Sequence, residues 1–190
     1  MDQRDRTGAQ HGLWALAAAA GICGALSGCV ALPVTALEQL DERTGTTLTR
    51  LARPIELLAS SPRGAGLDPF AYVAPFETNR MGERRAFLWI SAPHDSVVRV
   101  SQPTLLVDGE SVRLGAAVDT ASTGLRAWPY DTPAPWSAVW VFELDTASLR
   151  ALLTARRLSL TDASIAAQPQ FSNTEDPGAT LRDFGARLGL

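Results

Sequence analysis

The chain has 190 residues, a net charge of −3 and 46% apolar residues against 19% charged ones. That composition is globular rather than disordered, and the weak acidity gives no reason to expect a nucleic-acid partner. All 17 basic residues are arginine, which excludes a lysine nucleophile or Schiff base, and the two cysteines, Cys23 and Cys29, both lie near the N-terminus.

The first eleven residues are polar, with Arg4 and Arg6 balanced by Asp2 and Asp5. An Ala- and Leu-rich run follows from Leu13 to Ala25. At about 1.5 Å per residue it is too short for a bilayer core of roughly 30 Å. It fits the apolar centre of a secretory signal, which ends in small residues. Ser27 and Gly28 are small, and Cys29 follows at once. A buried helix over 13–30 is the competing reading, but Gly21, Gly24 and Gly28 would each cost about 1 kcal/mol there.

Leu26-Ser27-Gly28-Cys29 resembles the lipobox of bacterial lipoproteins. The resemblance covers about the first thirty residues. It implies that residues 1–28 are a signal peptide cut off before Cys29. The thiol of Cys29 would carry diacylglycerol, and its new amino group would be acylated, with palmitate as a typical chain. Such an anchor replaces a membrane-spanning helix, because two or three acyl chains hold stably where one does not. By the same analogy Val30, standing where an aspartate would retain the protein in the inner membrane, implies the outer membrane and a periplasm-facing body. With Cys23 removed and Cys29 blocked, the mature domain has no disulfide and no thiolate metal site.

Residues 29–45 read as the lipidated start and a tether, with one helical turn over Leu37–Arg43 ended by Gly45. The domain proper is expected at 46–190. Thr46–Leu51 and Ile55–Ala59 read as strands, and Pro54 between them suggests an edge or a strand that changes sheets. A turn-rich loop follows over Ser60–Asp68. Phe70, Tyr72, Ala74 and Phe76 share one face of the next strand, and Thr78–Gly82 reads as a turn. In Glu83–Ser91, Phe87 and Trp89 lie on one face and Leu88 and Ile90 on the other, as in a strand buried on both sides. Val97–Val100 is a strand candidate broken at Pro103. Asp108-Gly109 predicts a type I′ hairpin that sets Leu105 opposite Val112 and Val107 opposite Glu110.

Residues 115–135 read as a long irregular segment. A strand over Ser137–Glu143 follows, then a helix over Thr146–Thr154 capped by Asp145. Leu158 and Leu160 mark a last strand. After a loop over 163–178, the spacing of Leu181, Phe184 and Leu188 predicts a C-terminal helix. Roughly eight short strands with one or two helices point to an antiparallel β-sandwich, immunoglobulin-like or transthyretin-like.

Chemistry-bearing residues are sparse. The only histidine of the expected mature chain is His94, in Ser91-Ala92-Pro93-His94-Asp95-Ser96. A run of neighbours in a loop is not the geometry of a catalytic triad. No metal site is expected, because Asp41/Glu42, Glu143/Asp145 and Glu175/Asp176 lack calcium-loop spacing. No glycine-rich phosphate motif is present, so no cofactor is expected.

Arg80, Arg84 and Arg85 cluster around one turn, either as a patch for anionic headgroups or an acidic glycan, or as a charged strand end that discourages aggregation. Trp128, Tyr130 and Trp136, among prolines, are either contact makers for a partner or a cap on the sandwich core. The expectation is a non-enzymatic, lipid-anchored binding or assembly module. Its partner would be an envelope protein or a glycan. The alternative is a periplasmic hydrolase of glycan or peptidoglycan using paired Asp and Glu side chains.

Overall fold

Ten strands form one antiparallel network around a long central strand, in a computed structural model that describes residues 36–60, 70–94, 100–163 and 170–190. The apolar run, the lipobox with Cys29, most of the 60–68 loop and Val97–Arg99 lie outside the described residues. Those that are described belong to one unit, Pro33–Leu190.

The central strand is β4, Phe70–Arg80, if the strands before it are β1 (Ala36–Asp41), β2 (Thr46–Leu51) and β3 (Ile55–Ala59). β5 (Glu83–Pro93) pairs with one edge of β4, from Tyr72↔Ser91 to Arg80↔Glu83. The other edge is shared. β2 pairs with Phe76–Arg80 and β3 with Phe70–Val73. At the handover, residues 51–54 stand opposite only Ala74 and Pro75. Both prolines of the region, Pro54 and Pro75, therefore fall where that edge carries no ladder pairing, and a residue without an N–H costs nothing there.

From β3 the sheet continues through β10 (Phe171–Ser172) and β9 (Leu158–Asp162) to β6 (Pro103–Val107) and β7 (Glu110–Ser111). On the far side of β5 lies β8, Ser137–Leu144. The two halves fold over one apolar cluster. Val73, Leu88, Ile90 and Phe142 come from one half and Leu105, Leu158, Leu160 and Phe171 from the other. Two helices close it, α1 (Thr146–Leu153) and α2 (Gly178–Leu188), contributing Leu149, Leu152, Leu181 and Phe184 among others. The result is a β-sandwich-like fold, as expected from the strand pattern.

Local expectations hold in several places. The carboxylate of Asp145 accepts the Ser148 amide at 2.7 Å and caps α1. In the β6–β7 turn Asp108 and Gly109 have φ of 50° and 95°, both left-handed as a type I′ turn requires, and Val107 faces Glu110. Phe87 and Trp89 leave the first cluster to Leu88 and Ile90 and build a second with Leu48, Ala74, Phe76, Leu125, Tyr130 and Val141. β5 is thus buried on both faces.

Four expectations are corrected. Residues 36–41 are a strand, β1, paired along β2 from Ala36↔Leu51 to Asp41↔Thr46. Leu37 and Leu40 are 42% and 57% exposed, so their helical spacing meets no surface that would bury a helical stripe. β4 runs on through Thr78–Arg80, and only Met81-Gly82 forms the turn. Pro103 opens a strand rather than breaking one. Leu158–Asp162 is not the last strand, because Phe171–Ser172 bridges β9 and β3; two residues are too few for a periodicity signal.

Candidate binding face

The second apolar cluster lies on the outer face of β2, β4, β5 and β8, and residues 115–136 cover it. Ala117 bridges Phe142 and the Val118 amide donates to Val141 at 2.8 Å, so the segment starts along the free edge of β8. Asp119 then accepts the Ser122 amide at 2.8 Å beside a 3₁₀ turn over Ala121–Thr123, and hydrogen bonds from the Ser122 hydroxyl and then its amide hold the carboxyl below the usual range. The Thr46 hydroxyl reaches across from β2 to the Gly124 carbonyl at 3.2 Å, and Leu125 enters the cluster. Tyr130 is the peg. Its hydroxyl donates to the Leu51 carbonyl at 3.0 Å, its ring tilts against Trp89 at 5.1 Å, and the Arg50 guanidinium sits 5.1 Å from the ring centroid. Burial pushes the phenol well above its ordinary range, against the opposing pull of Arg50.

The three aromatics expected to act together have separate roles. Tyr130 is a core residue, 9% exposed, and its hydroxyl is spent inside the fold. Trp128 is half-buried at the margin of the second cluster. Trp136 is 43% exposed beside the end of β5, where its carbonyl accepts the His94 amide.

The arginines are also divided. Strand alternation sends Arg84 and Arg85 to opposite faces of β5. Arg84 pairs with Glu77 at 2.9 Å and donates to the Leu188 carbonyl at the end of α2. Arg85 grips Glu143 through two nitrogens at 2.8 and 2.6 Å, and donates to the Ser122 carbonyl of the cover. This pairing lowers the Glu143 carboxyl and raises the Arg85 guanidinium. Arg80, exposed like Arg84, is the one of the three with no ion pair among the described residues. The turn is therefore not a three-arginine patch.

The carboxylates follow the same geometry. Glu77 is opposite Ala86 on the side of the first cluster, whereas Glu143 is opposite Phe87 on the side of the second. Both are held by arginine, and Asp145 caps a helix, so none of them makes a facing acid pair. His94 is exposed while Ser91 is fully buried within β5. No group of three potential metal ligands occurs among the described residues.

The cover stops short of β1. Between it and the β1–β2 hairpin runs an open groove of about 420 Å³. Gln39, Leu48 and Arg50 form its floor. Asp41, Glu42 and Arg43 close one end, and Arg126, Trp128 and Pro129 form the far wall. The chain matches no protein-family model, and comparison with curated proteins and with solved structures finds no similar one. The groove draws arginines from positions 43, 50 and 126, so no local motif marks it. The one sequence signal was Trp128, in a long segment whose aromatics the sequence leaves open between a contact surface and a cap on the core.

Proposed function

We propose that the protein is a lipid-anchored envelope component whose β-sandwich domain binds a protein or glycan partner across the 115–136 face and performs no catalysis of its own. Residues 1–28 would be removed and Cys29 acylated, which holds the domain on the periplasmic side of the outer membrane. The lipobox supports the anchor. No helix among the described residues is long and apolar enough to cross a membrane. The observation that carries the binding reading is the groove beside the cover, rimmed by Trp128, with Trp136 exposed on the same segment.

Crosslinking in intact cells followed by mass spectrometry tests the partner face. Trp128→Ala and Trp136→Ala should remove crosslinked partners that the wild type captures. If every partner stays in place in both variants, the face is wrongly assigned. For the anchor, Cys29→Ser should abolish incorporation of labelled palmitate and leave an uncleaved precursor; continued labelling would refute it.

A further inference from the structure

We infer that the groove between the β1–β2 hairpin and residues 125–129 binds an acidic glycan, with its arginines on the carboxylates and Trp128 against a sugar ring. The inference rests on the partner-face reading and names the chemistry of one ligand for that same face.

The charge balance of the groove comes first. Arg43, Arg50 and Arg126 line it against Asp41 and Glu42, leaving one net positive charge. Asp41 is engaged first by its own turn, although the Arg126 charge also acts on it. Its carboxylate accepts the Arg43 amide at 3.0 Å and the Thr44 amide at 3.4 Å, closing its own turn. Neither Arg43 nor Arg126 has an ion pair within 4 Å among the described residues, in contrast to Arg84 and Arg85. Arg50 is fixed in advance: Nη1 donates to the Leu51 carbonyl at 3.2 Å and the guanidinium packs on the Tyr130 ring. A planar guanidinium held in place loses little freedom when it meets a carboxylate, and two-pronged contact suits that group.

The remaining surface selects for a ring rather than a bare ion. Trp128 and Pro129 give a flat apolar wall, and Gln39 on the floor offers both a donor and an acceptor to hydroxyl groups. The volume lies within the roughly 300–1,000 Å³ of small-ligand sites. A sheet face that outruns its cover produces this shape without any motif, because β1 adds one strand beyond the reach of residues 115–136.

The test uses the full chain in detergent micelles, titrated with a galacturonate hexamer, its carboxyl-reduced neutral counterpart and polyphosphate, and followed by tryptophan fluorescence. The hexamer should bind saturably and the neutral oligomer should not. Arg126→Gln and Arg43→Gln should each weaken binding about tenfold, as for loss of one charge-assisted hydrogen bond. Both side chains are exposed and unpaired, so the variants should keep the wild-type melting temperature. Arg150→Gln, on the exposed side of α1 beyond the first cluster, should bind as the wild type does. Polyphosphate binding as tight as the hexamer, with the same sensitivity to Arg126→Gln, would overturn the glycan assignment in favour of a general oxyanion site. No saturable binding, or equal loss in Arg150→Gln, would overturn the groove itself. If the hexamer fails while Trp128→Ala still loses its crosslinked partner in cells, the partner face stands and the glycan falls.

Discussion

Replacing Tyr130 tests whether residues 115–136 are a packed cover or a loose loop, and two substitutions separate its hydroxyl from its ring. In Tyr130→Phe the bond to the Leu51 carbonyl is lost, but that carbonyl still accepts Arg50 Nη1 at 3.2 Å. No acceptor is stranded, so the cost should be about 0.5–1 kcal/mol, the low end for a hydrogen bond. In Tyr130→Ala the ring leaves a hole against Trp89, and the Arg50 guanidinium loses the face it packs on. Removing a buried aromatic ring costs about 3–5 kcal/mol. At about 2–4 °C per kcal/mol for a domain of this size, the phenylalanine variant should melt a few degrees lower and the alanine variant about 6–20 °C lower. Urea unfolding followed by tryptophan fluorescence measures both. Hydrogen exchange at the Val118 amide, which holds the cover to β8, should speed up markedly in the alanine variant alone. A cost below about 1 kcal/mol for Tyr130→Ala would mean the segment is not anchored by this peg.

Further perturbations probe the frame around that cover. Gly109→Ala meets no neighbouring atom but must hold φ near 95°, so it should cost about 1–2 kcal/mol in thermal unfolding; a neutral result would contradict the type I′ turn. Asp162 is 1% exposed, and one carboxylate oxygen accepts both the Ser101 and Gln102 amides. Asp162→Ala should cost about 2–4 kcal/mol and Asp162→Asn clearly less, and equal losses would show that the acceptor is not what matters. The Arg85–Glu143 pair should make stability depend on pH. Its folded-state carboxyl lies below the ordinary 4.5, so its contribution is complete above that value and is lost as pH falls through the folded value. With side chains 34% and 45% exposed, Glu143→Gln should cost only about 0.5–1 kcal/mol at neutral pH. Urea midpoints at pH 7 and pH 3 should show that gap closing in acid, and a widening gap would reverse the assignment.

Much of the frame was legible because it is written in short-range rules. Alternation in Phe87–Ile90, the Asp108-Gly109 turn and the Asp145 cap each depend on a few neighbouring residues. Strand β1 was not legible. Its residues make an exposed edge, and what defines it is pairing with β2 rather than a hydrophobic pattern of its own. The site was harder. Arg80, Arg84 and Arg85 are close in sequence, yet their partners Glu77, Glu143, Ser122 and Leu188 are set by strand alternation and tertiary packing. Conversely, Arg126 is far in sequence from the hairpin arginines Arg43 and Arg50 and joins them only because the cover crosses the sheet. Tyr130 shows the same limit: a tyrosine among prolines can be a surface contact or a cap on the core, and only Leu51 and Trp89 beneath it decide for the core.

The anchor decides whether this groove faces the periplasm at all. Protein extracted from native membranes should yield an N-terminal peptide that starts at Cys29 and carries the added mass of a diacylglyceryl group and an amide-linked acyl chain. An N-terminus upstream of Cys29, or an unmodified Cys29 thiol, would contradict the lipoprotein assignment.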